Sequence, residues 1–177
     1  MTIKAQEGEA ISVSLDLVGA NTTLGTSLAT PIALSSAAVY TFSGSTIEWP
    51  TSTPVINVIS SFELTLKNNI EVLYGLGSRT GQKAKEKARE HTFKISMKTQ
   101  DNTYVTAFLG SSSGVTNPTT VASIKFGFTG DTNHVTSFTY SNVTLEDWSA
   151  AQNYGEVVPE ELSGVARTLS VSEQQTV

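Results

Sequence analysis

The chain has 177 residues, a net charge of −5 at pH 7 and no cysteine. Its length suits a single domain with a buried core, while the lack of cysteine excludes disulfide bonds, thiolate metal sites and a cysteine nucleophile. The start, MTIKAQEGEA, has no secretory pattern and no apolar run approaches the roughly 20 residues of a membrane helix, so we expect a protein made in a cytoplasm, outside any membrane.

Serine, threonine and β-branched residues are frequent, and helix-favouring charged residues are scarce outside one cluster. This composition favours two-faced sheets. We therefore predict one domain over residues 1–177 with a mainly β, antiparallel fold: a β-sandwich or half-barrel with a long hairpin, at most one short helix and an extended C-terminal arm.

The N-terminal part begins with a strand and continues as a loop. Residues 11–17 alternate between apolar and polar side chains, which predicts the first strand. Residues 19–36 have no period and contain several glycines and threonines, so they predict a long extended loop. Ordered loops of this length are usually functional or lie at interfaces. Simple disorder is the alternative.

The next segments predict further strands. Residues 39–49 fit two short strands or one strand bulged at Gly44. Pro50 and Pro54 then argue against a central strand at that point, and Val55 to Lys67 reads as one long strand.

Two amphipathic runs enclose a glycine-containing connection and predict a hairpin over Ser60 to Lys98. One run alternates Phe62, Leu64 and Leu66 with polar residues, and the other does so from residue 93 to residue 97. Between them, Gln82 to Glu90 reads either as a short helix, with Glu86 three residues from Lys83 and from Arg89, or as an extended lead into the second strand. Both alternatives stay open at this point.

The C-terminal half predicts a meander. Strands are expected at 103–109, 121–128, 135–140 and 143–148, with a turn near Ser141-Asn142. From Ala150 onward the period weakens, and the apolar residues between Leu162 and Val171 fit either a terminal strand or an arm. We assign the arm to about 150–177.

Charge is distributed unevenly. Five of the eleven basic residues lie between Arg79 and Arg89, whereas residues 146–177 hold six acids against Arg167 alone. The chain has no cationic excess with which to bind phosphates. We therefore expect the basic cluster to meet acids on another copy of the chain.

Catalytic and cofactor motifs are missing from the sequence. His91 and His134 stand singly, without an acid or serine in a recognisable arrangement. No G-x-S-x-G elbow is present, and the glycines from Gly75 to Gly81 fit neither a P-loop nor a dinucleotide fingerprint. We expect no catalytic residue, no cofactor and no metal site, and hence not an enzyme.

The hairpin tip carries a recognisable string. Asn68-Asn69-Ile70-Glu71, then Tyr74-Gly75-Leu76-Gly77-Ser78-Arg79, then basic residues ending at Arg89-Glu90 before a strand, resemble the tail tube proteins of long-tailed phages. A weaker similarity extends over Tyr154 to Leu162, and the first sixty residues match only in general character.

This resemblance implies a structural subunit of a viral tail tube. Six copies would form a ring with a continuous inner β-barrel, and stacked rings would be the conduit for genome delivery, with a negative lumen through which DNA passes without specific binding. The implied partners are the chain itself and the tape measure, tail-tip and tail-terminator proteins. The implied location is the tail of the virion, assembled in the host cytoplasm.

Candidate residues follow from this hypothesis. Subunit-interface candidates lie in the hairpin connection and the acidic C-terminal segment: Asn68, Asn69, Tyr74, Gly77, Ser78, Arg79, Lys83, Lys85, Lys87, Arg89, Glu156, Glu160 and Glu161. Lumen candidates are acids on polar strand faces or loops: Glu63, Glu71, Asp101 and Glu146.

The alternative function is a Ser/Thr-rich carbohydrate-binding or adhesin module. Such a module needs aromatic platforms, for which Trp49, Trp148, Tyr40 or Tyr104 would serve. Most aromatic residues alternate at core-facing positions and the chain lacks a secretory signal, so we favour the tube protein.

Overall fold

An eight-stranded antiparallel sheet is the framework of the computed structural model, which describes residues 1–17, 39–49, 55, 58–77, 81–98, 106, 108–109, 120–131, 134–150 and 158–175. The strands are β1 (Thr2–Gln6), β2 (Ser12–Ser14), β3 (Ser45–Glu48), β4 (Val58–Lys67), β5 (Ile70–Tyr74), β6 (Gly81–Glu86), β7 (Glu90–Lys98), β8 (Thr120–Asp131), β9 (His134–Ala150) and β10 (Pro159–Gln175). The sheet order is β2-β1-β4-β7-β10-β9-β8-β3, and β5 and β6 pair separately. The predicted mainly antiparallel β class is confirmed.

The sheet curls until its two edges meet. Ala10, between β1 and β2, forms a bridge with Thr41, which precedes a 3-10 turn at Phe42–Gly44 and strand β3. The backbone N–H of Ile11 donates to the carbonyl of Tyr40 at 3.0 Å, and that of Phe42 donates to the carbonyl of Glu9 at 3.2 Å. These bonds reduce the exposed edge of the sheet, as expected for a half-barrel.

Aromatic side chains from opposite walls of the curled sheet fill its interior. Phe62 of β4 lies 5.7 Å from Phe126 of β8, measured between ring centroids. Phe93 of β7 and Tyr140 of β9 each lie within 6.0 Å of Phe126. Because β4 and β8 are not neighbours in the sheet, these contacts require strong curvature, and they hold the two walls together.

The predicted long hairpin is present and has two parts. β4 pairs with β7 from Val58↔Lys98 to Lys67↔Glu90, and beyond that point the chain forms the β5–β6 hairpin. Residues 81–86 are a strand, so the extended alternative holds and the helix considered for 82–90 is not formed. Glu86 does reach Arg89, at 3.4 Å, but without helical geometry.

The N-terminal region differs from its predicted outline. The chain begins with β1, which the sequence analysis missed, and the strand expected at 11–17 is reduced to Ser12–Ser14. β2 pairs with β1 over Ser12 to Ser14, with Ser14 opposite Thr2 as the last pair in the register. The alternation in 15–17 therefore extends beyond the sheet.

Two other predictions need correction. The turn expected near Ser141-Asn142 is absent, because Asn142 adopts a left-handed backbone (φ 52°) within a continuous β9. A single such residue shifts which side chains face the core without reversing the chain. Of the strand expected at 103–109, the structure describes Thr106, Phe108 and Leu109, and these are helical.

The C-terminal segment forms a strand rather than a free arm. β10 lies between β7 and β9, pairing with β7 over Pro159 to Ala166 and with β9 along its whole length. Of the two alternatives for this segment, the terminal strand is observed, and it occupies the middle of the sheet. The loop expected at 19–36 lies wholly outside the described residues. Residues 151–157 of the expected arm lie outside them as well.

Candidate assembly surfaces

The junction between the sheet and the β5–β6 hairpin depends on Asn69. This residue adopts a left-handed backbone (φ 45°), a conformation that asparagine tolerates better than most residues. Its side-chain amide donates to the carbonyl of Ala88 at 2.8 Å, and the backbone N–H of Lys87 donates to the carbonyl of Asn69 at 3.0 Å. The candidate Asn69 thus sets the direction in which the hairpin leaves the sheet, and Asn68 is exposed beside it.

The β5–β6 hairpin is amphipathic. Ile70, Val72 and Tyr74 share one face by strand alternation, and Tyr74 is 65% exposed. Glu71 lies opposite Lys85 on the other face, and Leu73 lies opposite Lys83. A two-stranded hairpin alone is marginal in water and needs further strands or packing on its apolar face. In the described part of the chain no strand of the large sheet pairs with the hairpin, and Ile70 stays 46% exposed.

The turn at the hairpin tip exposes another apolar side chain. Leu76 is fully exposed, and Gly77 has a positive φ of 79°. Of the tip candidates, Ser78 and Arg79 lie outside the described residues.

Ion pairs neutralise part of the basic cluster. Lys87 lies 3.0 Å from Glu71, Arg89 lies 3.4 Å from Glu86, and Lys67 lies 3.9 Å from Glu90. These pairs are largely solvated, so each stabilises the fold by at most about 1 kcal/mol. Within the described residues, the candidates Lys83 and Lys85 have no ion pair.

The acidic candidates of the C-terminal segment separate into buried and exposed groups. Glu160 is buried and accepts a hydrogen bond from the indole N–H of Trp148. Glu160 is therefore not exposed on the surface where the sequence analysis expected it. Glu161 lies 2.8 Å from Lys94, and this hydrogen-bonded carboxylate raises the pKa of Lys94. Glu156 lies outside the described residues.

The lumen candidates do not form one cluster. Glu63 lies 2.9 Å from Lys4 and pairs across the strands with Lys94, so it shares the outer sheet face with Glu161, a residue predicted to have a different role. Glu71 belongs to the hairpin instead. Glu146 is exposed on β9, and Asp101 lies outside the described residues. The structure thus brings Glu63 and Glu161 together and separates Glu71 from them.

An apolar surface near the N terminus escaped the sequence analysis. Val13 and Leu15 are each 60% exposed, and Leu17 is 82% exposed. Leu15 and Leu17 line a cavity of about 500 Å³ together with Leu66 and Ile70, at the root of the hairpin. The sequence did contain a sign of this surface, because the apolar–polar alternation continues through Leu17. β2 ends at Ser14, so Leu15 and Leu17 lie beyond the strand and stay exposed.

Ionisable side chains are scattered rather than clustered in the described part of the chain. They contain no group of three or more His, Asp or Glu side chains that could hold a metal ion. His91 is buried, and burial, followed by the nearby Arg89, lowers its pKa. Its Nδ1 has no hydrogen-bond partner among the described atoms. None of the described helical residues belongs to a helix long and apolar enough to cross a membrane.

The aromatic residues considered for carbohydrate binding serve within the fold. Trp49 is buried in the core, and Trp148 binds Glu160. The Tyr40 hydroxyl forms a hydrogen bond with the hydroxyl of Thr136 at 3.1 Å. Tyr104 lies outside the described residues.

Comparisons with known proteins agree with this architecture. The model of a family described as phage tail tube protein matches residues 1–169. A chain in the 6-fold symmetrised baseplate of the anti-feeding prophage has a similar fold, with a TM-score of 0.53 and 10% identity over 72% of this chain and 90% of that one. A chain from the tail of an empty gene transfer agent particle has a TM-score of 0.49 and 9% identity, covering 77% and 98%. No curated protein sequence matches. Because the family model spans nearly the whole sequence, the chain belongs to the phage tail tube protein family and is a structural component of the virion tail.

Proposed function

We propose that six copies of this chain form a ring and that the rings stack into the tube through which the genome is delivered. The baseplate chain with a similar fold comes from an assembly described with 6-fold symmetry, which supports this ring size. In the proposed tube, edges and hairpins that are unpaired in one copy are covered by its neighbours.

The observation that carries this proposal is the β5–β6 hairpin. Its apolar face, formed by Ile70, Val72 and Tyr74, projects beyond the sheet, and Ile70 and Tyr74 stay largely exposed in the described part of the chain. A second copy would cover this face and supply the packing that a two-stranded hairpin needs. The cavity at the hairpin root, with the exposed Leu15 and Leu17 in its lining, extends the surface available to that copy.

The bore of the tube is proposed to be negative. Glu63, Glu161 and Asp147 lie near Lys94 on the outer sheet face, where Lys4 is the second lysine, so three carboxylates face two ammonium groups. A wall with surplus carboxylates repels phosphates, so DNA would pass without being held. Glu63 and Glu146 remain the proposed lumen residues within the sheet. Tape measure, tail-tip and tail-terminator proteins are the further proposed partners.

The proposal predicts that the apolar hairpin face drives assembly. In the double variant Ile70→Thr/Tyr74→Thr we expect the concentration needed for assembly to rise about a hundredfold, because each apolar side chain contributes about 1–2 kcal/mol when buried. Negative-stain electron microscopy and size-exclusion chromatography over a range of concentrations measure this. Far-UV circular dichroism should show an unchanged fold.

Val39→Thr is the matched control, since Val39 is 67% exposed but lies outside the hairpin. It should assemble as the wild type does. A wild-type chain that stays monomeric at high concentration, alone and with a tail-tip or tape measure partner, would contradict the proposed function.

A further inference from the structure

The described residues of the hairpin and its root carry a surplus of two positive charges at defined positions. Among the described residues of 67–90, three ion pairs join three acids to Lys67, Lys87 and Arg89. Lys83 and Lys85 remain after this pairing. Both belong to β6, and as alternate residues of one strand they lie on the same face, about 7 Å apart. The surplus is therefore a pair of lysines rather than a diffuse basic region.

The turn between β1 and β2 carries two negative charges that the sequence analysis did not assign. Glu7 and Glu9 are exposed, and neither forms an ion pair with a described residue. The turn is held by its backbone: the N–H of Glu7 donates to the carbonyl of Ser60 at 3.0 Å, and the N–H of Glu9 donates to the carbonyl of Gln6 at 3.0 Å. The fold thus presents both carboxylates from a fixed position.

The two charged pairs lie at opposite ends of the sheet. The turn follows Gln6, which pairs with Ser61 near the start of β4, whereas the hairpin begins after Lys67 at the end of β4. Ser61 and Lys67 are separated by about 20 Å along the strand, and the hairpin extends beyond Lys67. In rings stacked along the direction of β4, the hairpin end of one copy would meet the turn end of the next.

A groove with a volume of about 360 Å³ lies beside the turn. Its charged lining residues are Glu9, Glu63 and Glu161 together with Lys4 and Lys94. Glu63 binds Lys4, and Glu161 binds Lys94. Glu9 is the lining acid without such a partner among the described residues, so an incoming ammonium group would bind at Glu9.

We propose that Lys83 and Lys85 of one copy bind Glu7 and Glu9 of a second copy in the adjacent ring. The occupant of this surface is thus the β5–β6 hairpin of an identical chain, selected by charge complementarity. Exposed charge pairs contribute orientation and register more than affinity, so this contact sets the direction in which rings stack. The inference rests on the proposed function, because it requires rings that stack.

Charge reversal and its compensation test the proposal. We expect Lys83→Glu/Lys85→Glu to shorten tubes or stop them at single rings, and Glu7→Lys/Glu9→Lys to do the same. Combining all four substitutions restores the pairing with reversed signs and should return tube length to at least half of the wild-type value. Arg167→Glu is the control, since Arg167 is exposed and lies outside the hairpin, the hairpin root and the β1–β2 turn.

Cross-linking of native residues gives a second measurement. A carbodiimide joins a lysine amine to a carboxylate only when they are in contact, so wild-type tubes should yield peptides that link Lys83 or Lys85 to Glu7 or Glu9. Tubes made from equal amounts of ¹⁵N-labelled and unlabelled chain should show these links between a labelled and an unlabelled peptide, which places them between copies.

The outcomes separate this inference from the proposed function. Tubes of wild-type length from both reversed pairs, or tubes whose cross-links omit these residues, would overturn the inference and leave the tube proposal standing. A wild-type chain that forms no ring or tube would overturn both. Loss of length in each reversed pair, with recovery in the combined variant, would support the inference.

Discussion

The curled sheet and the β5–β6 hairpin differ in where their apolar side chains lie. In the sheet, Phe62, Phe93 and Phe126 pack against one another across the interior and have almost no solvent exposure. In the hairpin, the large side chains Tyr74 and Leu76 are mainly exposed. The first region buries its apolar residues within one chain, whereas the second presents them outward.

This difference indicates where the stability of each region originates. Packing among aromatic rings stabilises the sheet in a single copy. The hairpin has one pairing partner for each strand, solvated ion pairs and the Asn69 junction. In the proposed tube its remaining stability would come from neighbouring copies, which would couple order in the hairpin to assembly.

Removing a central ring should have the largest effect on the isolated chain. Phe126→Ala deletes the ring that contacts Phe62, Phe93 and Tyr140, and we expect unfolding free energy to fall by about 3–5 kcal/mol. Tyr74→Ala removes a comparable ring from the hairpin and should cost less than about 0.5 kcal/mol in the monomer. Urea denaturation of both variants measures the contrast, and equal losses would contradict it.

Two glycines extend the comparison to the backbone. A Cβ at Gly164 of β10 would lie 2.7 Å from the carbonyl oxygen of Thr144 and 2.8 Å from Cζ of Phe93. We expect Gly164→Ala to destabilise the chain by about 1–3 kcal/mol through overpacking. Gly77→Ala meets no atom within 4 Å and strains only a turn with positive φ, at about 1 kcal/mol. Thermal unfolding should therefore respond more to Gly164→Ala, and the reverse order would count against the packing described.

The smallest effect concerns pH, at the border between the two regions. Burial and Arg89 lower the pKa of His91 in the folded chain from its ordinary value of 6.5. The unfolded chain therefore binds more protons below pH 6.5, and the contribution of His91 to stability is lost as pH falls from 6.5 through the folded pKa. His91→Gln should reduce the decline in urea stability between pH 7.5 and pH 5.5, with His134→Gln as control. An unchanged decline in His91→Gln would contradict this assignment.

Alternation made part of this fold predictable. Phe62 and Leu64 on β4, and Phe93 and Ile95 on β7, alternate because one sheet face is buried along the full pairing of these strands. β10 was harder to predict from alternation, because Gly164 interrupts its apolar pattern. The ring of Phe93 fills the space that a side chain at this position would need. β1 has five residues and only two buried apolar ones, which is too short for a reliable period.

The hairpin was predictable in position, whereas the partners of individual charged residues were less so. The motif around Asn69 and Tyr74 correctly indicated an elaborated hairpin. Pairing between distant charges, such as Glu161 with Lys94, depends on strand order, which local sequence does not specify. The same limit applies to Glu160, whose burial follows from the central position of β10.

The most direct test of the central claim is hydrogen exchange of backbone amides in the monomer and in the assembled tube. If another copy completes the hairpin, amides of β5 and β6 exchange rapidly in the monomer and at least tenfold more slowly in the tube, while those at the centre of β7 and β10 are protected in both. Hairpin amides that are equally protected in the monomer, or that remain unprotected in the tube, would contradict the claim.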